Sequence, residues 1–265
     1  QNSVAERRLR PIYDWLDNGN NKKALQEAEK VLKKQPDFQC CKVLKSLALL
    51  RLGRENEAQP VLDSVLNEGP TDDGTLQAMT IAFRELQQPE KICTMYEKAT
   101  SREQSEELLS HLFMSYVRMG YYKKQQQAAM QLYKVKPKNP YYFWAVMSIV
   151  LQATTGRVDE SLTKNMLLPL AERMIAKMAK EKKMEQEQET HLYLMVLELQ
   201  KKFQEALNIL DGPVGKQLED KTSYWELCNT KKIDYLKKLQ KWEQVNSLAK
   251  DVLQQNPDQW SLYLD

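Results

Sequence analysis

The chain has 265 residues, of which 42% are hydrophobic and 28% charged. That is enough apolar material for a buried interior and excludes a compositionally disordered protein. Thirty-nine Lys and Arg stand against 36 Asp and Glu, and a formal charge of +3 argues against a dedicated nucleic-acid binder. No run of about 18 apolar residues offers a membrane span, and Cys40, Cys41, Cys93 and Cys228 have neither zinc-ligand spacing nor the density of a disulfide framework.

The segment Gln1 to Arg10 carries three arginines and no apolar stretch, so no signal peptide is expected, and reduced, packed thiols in a cytoplasmic protein fit these features. Leu9, Ile12, Tyr13 and Leu16 then form one helical stripe that ends before Gly19. From Gly19 onwards a pattern repeats: Gly19 and Gly53, Ala24 and Ala58, and Pro36 and Pro70 each recur at a shift of 34, the tetratricopeptide period. Each recurring residue has a physical task. Glycine takes the left-handed conformation where one helix must turn into the next. Ala24, Ala28 and Val31, like Ala58, Leu62 and Val65, form a face on which a paired helix can sit closely. Proline ends the second helix because it cannot continue the hydrogen-bond ladder.

Further along, Pro89 opens a degenerate copy with Ile92, Tyr96 and Ala99 as its buried stripe. The Gly-to-Pro interval of 17 returns from Gly120 to Pro137, and again from Gln240, standing in for Gly, to Pro257. Between Pro140 and Gln200 the period is lost. Tyr141 to Ala153 reads as an apolar helix and Thr154 to Asp159 as a loop. Met166 to Lys180 reads as a helix with Pro169 in its first turn and a stripe of Leu167, Leu170, Met174 and Met178. Lys177 to Glu189 reads as a solvated charged helix, its mixed signs arguing against a membrane-surface helix. Lys201 to Leu207 reopens the repeat. The expected fold is all-α, a tetratricopeptide-type right-handed superhelical solenoid of antiparallel helix pairs. It divides into about four repeats over 1–139, irregular pairs with a long charged helix over 140–200, and further repeats over 201–265. The apolar ending Trp260 to Asp265 reads as the start of another helix, so a longer parent chain is expected.

Catalytic patterns are missing. No Gly-x-Gly, P-loop, His-Glu-x-x-His or Gly-x-Ser-x-Gly is present, so no cofactor or metal is expected on this chain. The two histidines, His111 and His191, sit among apolar helical neighbours, and adjacent Cys40 and Cys41 face different sides of a helix. Tyr141, Tyr142, Phe143 and Trp144 encircle a helix axis. Packing between repeats is their plain reading, with Tyr141, Tyr142 and Trp144 as candidate partner contacts.

Particular stretches narrow the lineage. Leu9-Arg10-Pro11-Ile12-Tyr13-Asp14, Leu16 to Lys22, Pro70-Thr71-Asp72-Asp73, His111-Leu112-Phe113-Met114, Pro137 to Trp144 and Leu168 to Met174 together resemble the auxiliary subunit of the N-terminal acetyltransferase B (NatB) complex. The resemblance implies a non-catalytic scaffold that holds and activates a catalytic subunit as a heterodimer. Acetyl-CoA would sit on that partner, which would acetylate nascent chains beginning Met-Asp, Met-Glu, Met-Asn or Met-Gln. It also implies docking near the ribosomal exit, for which Arg7, Arg8, Arg10, Lys22, Lys23, Lys33 and Lys34 are the candidate phosphate contacts. The main alternative is a tetratricopeptide adaptor or co-chaperone clamping an acidic peptide. The clamp positions, which call for Lys, Asn and Arg, instead hold Leu9, Tyr13, Leu44, Gly74 and Ala78, and a one-residue shift brings only Arg10, Asp14 and Lys45, so the clamp is missing.

Overall fold

A computed structural model describes residues 2–185, 187–219 and 222–255. Among the described residues the secondary structure is helical throughout, with no strand, in two compact units, Gln1–Lys136 and Pro137–Asp265.

The first unit is four antiparallel pairs: α1 (Asn2–Asp17) with α2 (Asn21–Lys34), α3 (Gln39–Arg51) with α4 (Glu55–Glu68), α5 (Asp73–Glu85) with α6 (Pro89–Arg102), and α7 (Glu106–Met119) with α8 (Tyr122–Val135). The expected turn glycines are left-handed, with φ of 76° at Gly19, 78° at Gly53 and 68° at Gly120. At each, two backbone bonds close the preceding helix. Gly53 N–H donates to the Leu50 carbonyl at 3.0 Å and Arg54 N–H to the Leu49 carbonyl at 2.9 Å, the paired hook that satisfies the last carbonyls of a helix. The third pair builds the same hook without glycine. Gln87 has φ of 56°, its N–H reaching the Arg84 carbonyl at 3.0 Å and that of Gln88 the Phe83 carbonyl at 2.8 Å.

Prolines act as the spacing predicts: α2, α4 and α8 close just before Pro36, Pro70 and Pro137, and Pro89 opens α6. Pro257 and the stretch Trp260 to Asp265 lie outside the described residues. Ala24, Ala28, Ala58, Leu62, Val65, Ile92, Tyr96 and Ala99 are all buried between helices, while Val31 is half-buried. Full burial of such a leucine or valine removes apolar surface worth about 1.5–3 kcal/mol from water. The adjacent cysteines are buried in two directions. Cys40 meets the Tyr13 hydroxyl of α1 at 3.7 Å, and Cys41 Sγ donates to the Ala28 carbonyl of α2 at 3.4 Å.

The second unit holds α9 (Asn139–Thr154), α10 (Glu160–Leu162), a π-helical turn (Thr163–Leu167), α11 (Leu168–Lys180), α12 (Glu187–Leu199), α13 (Phe203–Asp211), α14 (Pro213–Glu219), α15 (Thr222–Lys238) and α16 (Trp242–Gln255). Three expectations need correction here. The helix expected from Met166 is preceded from Glu160 by α10 and the π-helical turn, while Pro169 does fall in the first turn of α11, as expected. The π-helical turn directly before Pro169 widens the backbone where its missing N–H and ring would otherwise break an α-helical ladder. The buried stripe of α11 is Leu168, Ala171, Ile175 and Met178, one residue beyond most of the predicted one.

The charged stretch Lys177 to Glu189 is not one helix either. α11 stops at Lys180, Lys182 is left-handed with φ of 57°, and Lys183 N–H hooks back to the Met178 carbonyl at 3.0 Å. The stretch reverses direction because Met178 and Met184 are both drawn into the interior, at 1% and 9% exposure. Farther on, α13, α15 and α16 share a core of Leu207, Ile233, Leu236, Val245 and Ala249. Gln240, predicted to replace Gly, is left-handed with φ of 59°.

Candidate functional site

Charge and exposed apolar surface collect at three places. The first is the opening hairpin. Arg7, Arg8, Arg10, Lys22, Lys23, Lys33 and Lys34 are all exposed, but the antiparallel pairing divides them. Arg8 Nη1 donates to Gln35 Oε1 at 3.3 Å, so the arginines of α1 share an end with Lys33 and Lys34. Lys22 and Lys23 flank the turn at the other end, with Lys23 Nζ 4.4 Å above the Trp15 ring. Eleven helical residues separate Lys22 from Lys33, roughly 16 Å. The single basic end expected from sequence is therefore two smaller ones. Arg7 and Arg10 lie on one face of α1 with Pro11, Asp14, Trp15 and Asn18, beside a shallow depression of about 410 Å³.

The second place is the aromatic start of α9. Tyr142 is buried at 7% exposure, and its hydroxyl donates to the Met174 carbonyl of α11 at 3.1 Å. It is a packing residue, which corrects its placement among the partner contacts. Tyr141 and Trp144 are half-buried and meet edge to face at 5.1 Å, leaving part of both rings accessible.

The third place was not foreseen from sequence. In the first unit α5 packs on α3, whereas α7 is set against α6 and α8, and a cleft of about 320 Å³ opens between α5 and α7. Ile81 and Met114 line it, 42% and 43% exposed, together with Tyr96 and His111, whose rings stack at 5.3 Å. Toward the N-terminal ends of both helices, Asp73, Glu107 and His111 bring one ligand atom each within 4.8 Å of one another. Both carboxylates are exposed, and Asp73 already accepts from Gln77 Nε2 at 2.9 Å. Three accessible ligands fall short of the closed four-ligand shell of a structural zinc site. At the other end of the cleft are Arg84 and Arg118. The repeat register held the signal for this arrangement, since Asp73 and Glu107, like Arg84 and Arg118, are 34 positions apart.

Buried titratable groups serve the fold. Burial pushes the Cys41 thiol up to about 12 and also raises Cys40 and Cys93, so none of these three has the depressed value of a nucleophilic thiolate. Tyr116 is raised by burial and by its hydroxyl donating to Glu97 Oε1 at 2.8 Å.

Left-handed hooks, small-residue helix faces and polar contacts one period apart together define a tetratricopeptide-repeat protein. A family model described as Psidin, N-terminal TPR repeats region, matches residues 6–253, and the chain belongs to that family. It is 52% identical over 260 residues to the rat protein named N-alpha-acetyltransferase 25, NatB auxiliary subunit, covering 98% of this chain and 26% of that protein. Its human counterpart is 50% identical over the same share, and an Arabidopsis thaliana NatB auxiliary subunit is 30% identical over 98% of this chain and 24% of its own length. The chain thus spans about a quarter of the length of these curated relatives. Among solved structures, one described as Naa15/Naa10 bound to HypK-THB superposes with a TM-score of 0.67 over 95% of this chain and 36% of that one. At 17% identity the likeness is one of fold.

Proposed function

We propose that the chain is the N-terminal part of a non-catalytic auxiliary subunit of the NatB complex, in the cytoplasm, with acetyl-CoA and the chemistry on a separate catalytic subunit. In this reading it helps to hold and activate that subunit for acetylation of nascent chains beginning Met-Asp, Met-Glu, Met-Asn or Met-Gln. The observation that carries the reading is identity of 30–52% along essentially the whole chain to relatives named as NatB auxiliary subunits in rat and Arabidopsis. The reading also assigns Arg7, Arg8, Arg10, Lys33 and Lys34 to ribosomal phosphates, with Lys22 and Lys23 as a second contact. Basic side chains spread over a helix end gain affinity by releasing counterions, so such a contact weakens steeply with salt. Tyr141 and Trp144 are the aromatic contacts proposed for a protein partner.

Two measurements test this. The full-length subunit is co-expressed with its catalytic partner, and acetylation of a Met-Asp peptide is compared with that of a complex whose auxiliary subunit lacks this 265-residue segment. The expected result is loss of assembly or of activity, and undiminished activity would refute the role. Reversing Arg7, Arg10, Lys33 and Lys34 to Glu should lower ribosome co-sedimentation at low salt while the catalytic subunit stays bound. Unchanged co-sedimentation would remove the ribosome contact.

A further inference from the structure

The cleft between α5 and α7 pairs like with like. Asp73 and Glu107 occupy equivalent positions of successive repeats, as do Arg84 and Arg118, so the register sets two carboxylates at one end and two guanidinium groups at the other. Arg51 and Glu85, also one period apart in this unit, are by contrast opposite in sign and paired. Among the described residues neither Arg84 nor Arg118 has a carboxylate within ion-pair distance. Helix dipoles favour acids at first turns and bases at last turns. They do not call for two large apolar side chains left in water between them, yet Ile81 and Met114 are exposed there.

We infer that this cleft is a docking site for a short extended segment of a partner protein that reads, in order, cation, apolar, carboxylate. From Asp73 to Arg84 is eleven helical residues, roughly 16 Å, and an extended chain covers that in about five residues. The cation of the segment lies against Asp73 and Glu107, its apolar side chains between Ile81 and Met114, and its carboxylate under Arg84 and Arg118. Guanidinium groups take a carboxylate in fork geometry, which sets both direction and register. Opposite charges at the two ends also turn away segments of uniform sign. The site differs from the acidic-peptide clamp of tetratricopeptide adaptors, whose positions here hold Leu9, Tyr13, Leu44, Gly74 and Ala78. The inference does not depend on the acetyltransferase role, and its test uses no acetylation readout.

The probe is a fluorescein-labelled hexapeptide, Lys-Ala-Leu-Leu-Ala-Asp, titrated against the 265-residue chain by fluorescence anisotropy at low salt. Saturable binding with a Kd below about 1 mM is expected. Arg84→Glu with Arg118→Glu, and separately Ile81→Asp, should each weaken it about tenfold or more, whereas Lys164→Glu on the second unit should leave it unchanged. All of these changes are at exposed positions, and circular dichroism of each variant verifies the helical fold. Absence of saturable binding, binding indifferent to the cleft variants, or equal binding of a probe with Ala in place of both Lys and Asp would each overturn the assignment.

Discussion

Arg51 of α3 grips Glu85 of α5 across one full repeat, Nη2 lying 2.8 Å and Nε 3.1 Å from Oε1, while its Nη1 reaches the Leu16 carbonyl at the end of α1 at 3.3 Å. One guanidinium thus ties three successive inner helices. Both side chains are about a third exposed, so water screens the pair and Arg51→Ala should cost about 1 kcal/mol. Arg51→Lys should recover little of this, because an ammonium cannot hold Glu85 and Leu16 at once. The check is the urea midpoint of each variant beside that of Glu85→Gln. Equal stability of Arg51→Lys and the parent would refute the three-way tie.

Gln87 adopts the left-handed conformation that Gly19, Gly53 and Gly120 take at equivalent turns. A residue with Cβ is strained there by about 1 kcal/mol. Gln87→Gly should therefore raise the thermal midpoint of the chain, and Gly53→Ala should lower it, although added Cβ meets no atom within 4 Å at Gly53. Opposite signs in thermal unfolding are the expected outcome.

Gly215 is needed for a different reason. A Cβ there would lie 1.8 Å from the Leu210 carbonyl oxygen, which is backbone and cannot turn aside. Gly215→Ala should force α14 away from the end of α13 and loosen the core around Leu207 and Ile233. Faster hydrogen exchange in α13 and α15, with α1 to α4 unaffected, is the expected signature.

At high pH the buried thiol of Cys41 should cost stability. Its ordinary value of 9.0 is pushed up to about 12, chiefly by burial. Between those values the unfolded chain has released the proton and the folded chain still holds it, so unfolding gains as pH rises. Half-buried Tyr13 and buried Tyr116 and Tyr235, all raised chiefly by desolvation, add to the same trend above their ordinary value of 10.0. Thermal midpoints should fall from about pH 9 upward, and the fall should be shallower in Cys41→Ala. The native chain should also resist maleimide at Cys40 and Cys41 until it is denatured.

Much of the first unit was legible because its signals are local. A glycine at the turn, alanines at fixed offsets and a proline at the end each reflect a backbone constraint that any single repeat displays. Gln87 and Lys201 were not legible as turns, since tertiary packing imposes their left-handed backbone against ordinary preference. The bend after Lys180 was hidden for a similar reason: Lys, Glu and Gln favour helix, and only burial of Met178 and Met184 reverses the chain. Of the candidate surfaces, exposure of the basic residues followed from composition. Their division between two ends of the hairpin required the antiparallel pairing of α1 with α2. Tyr142 looked like its neighbours until the Met174 carbonyl appeared beside it. The cleft lies between side chains of two helices one repeat apart, α5 and α7, which no single segment encodes.

The hooks that end the inner helices are made of main-chain atoms. Their geometry is the same at Gly53, where the side chain is hydrogen, and at Gln87, where it is a long amide. Replacement at such a turn alters how firmly the bend is held, while the direction in which the chain leaves it is unchanged. Sequence can therefore vary over the surface and even the corners of such an array while the course of the polypeptide persists, in keeping with a solved structure that is 17% identical and still superposes over 95% of the chain.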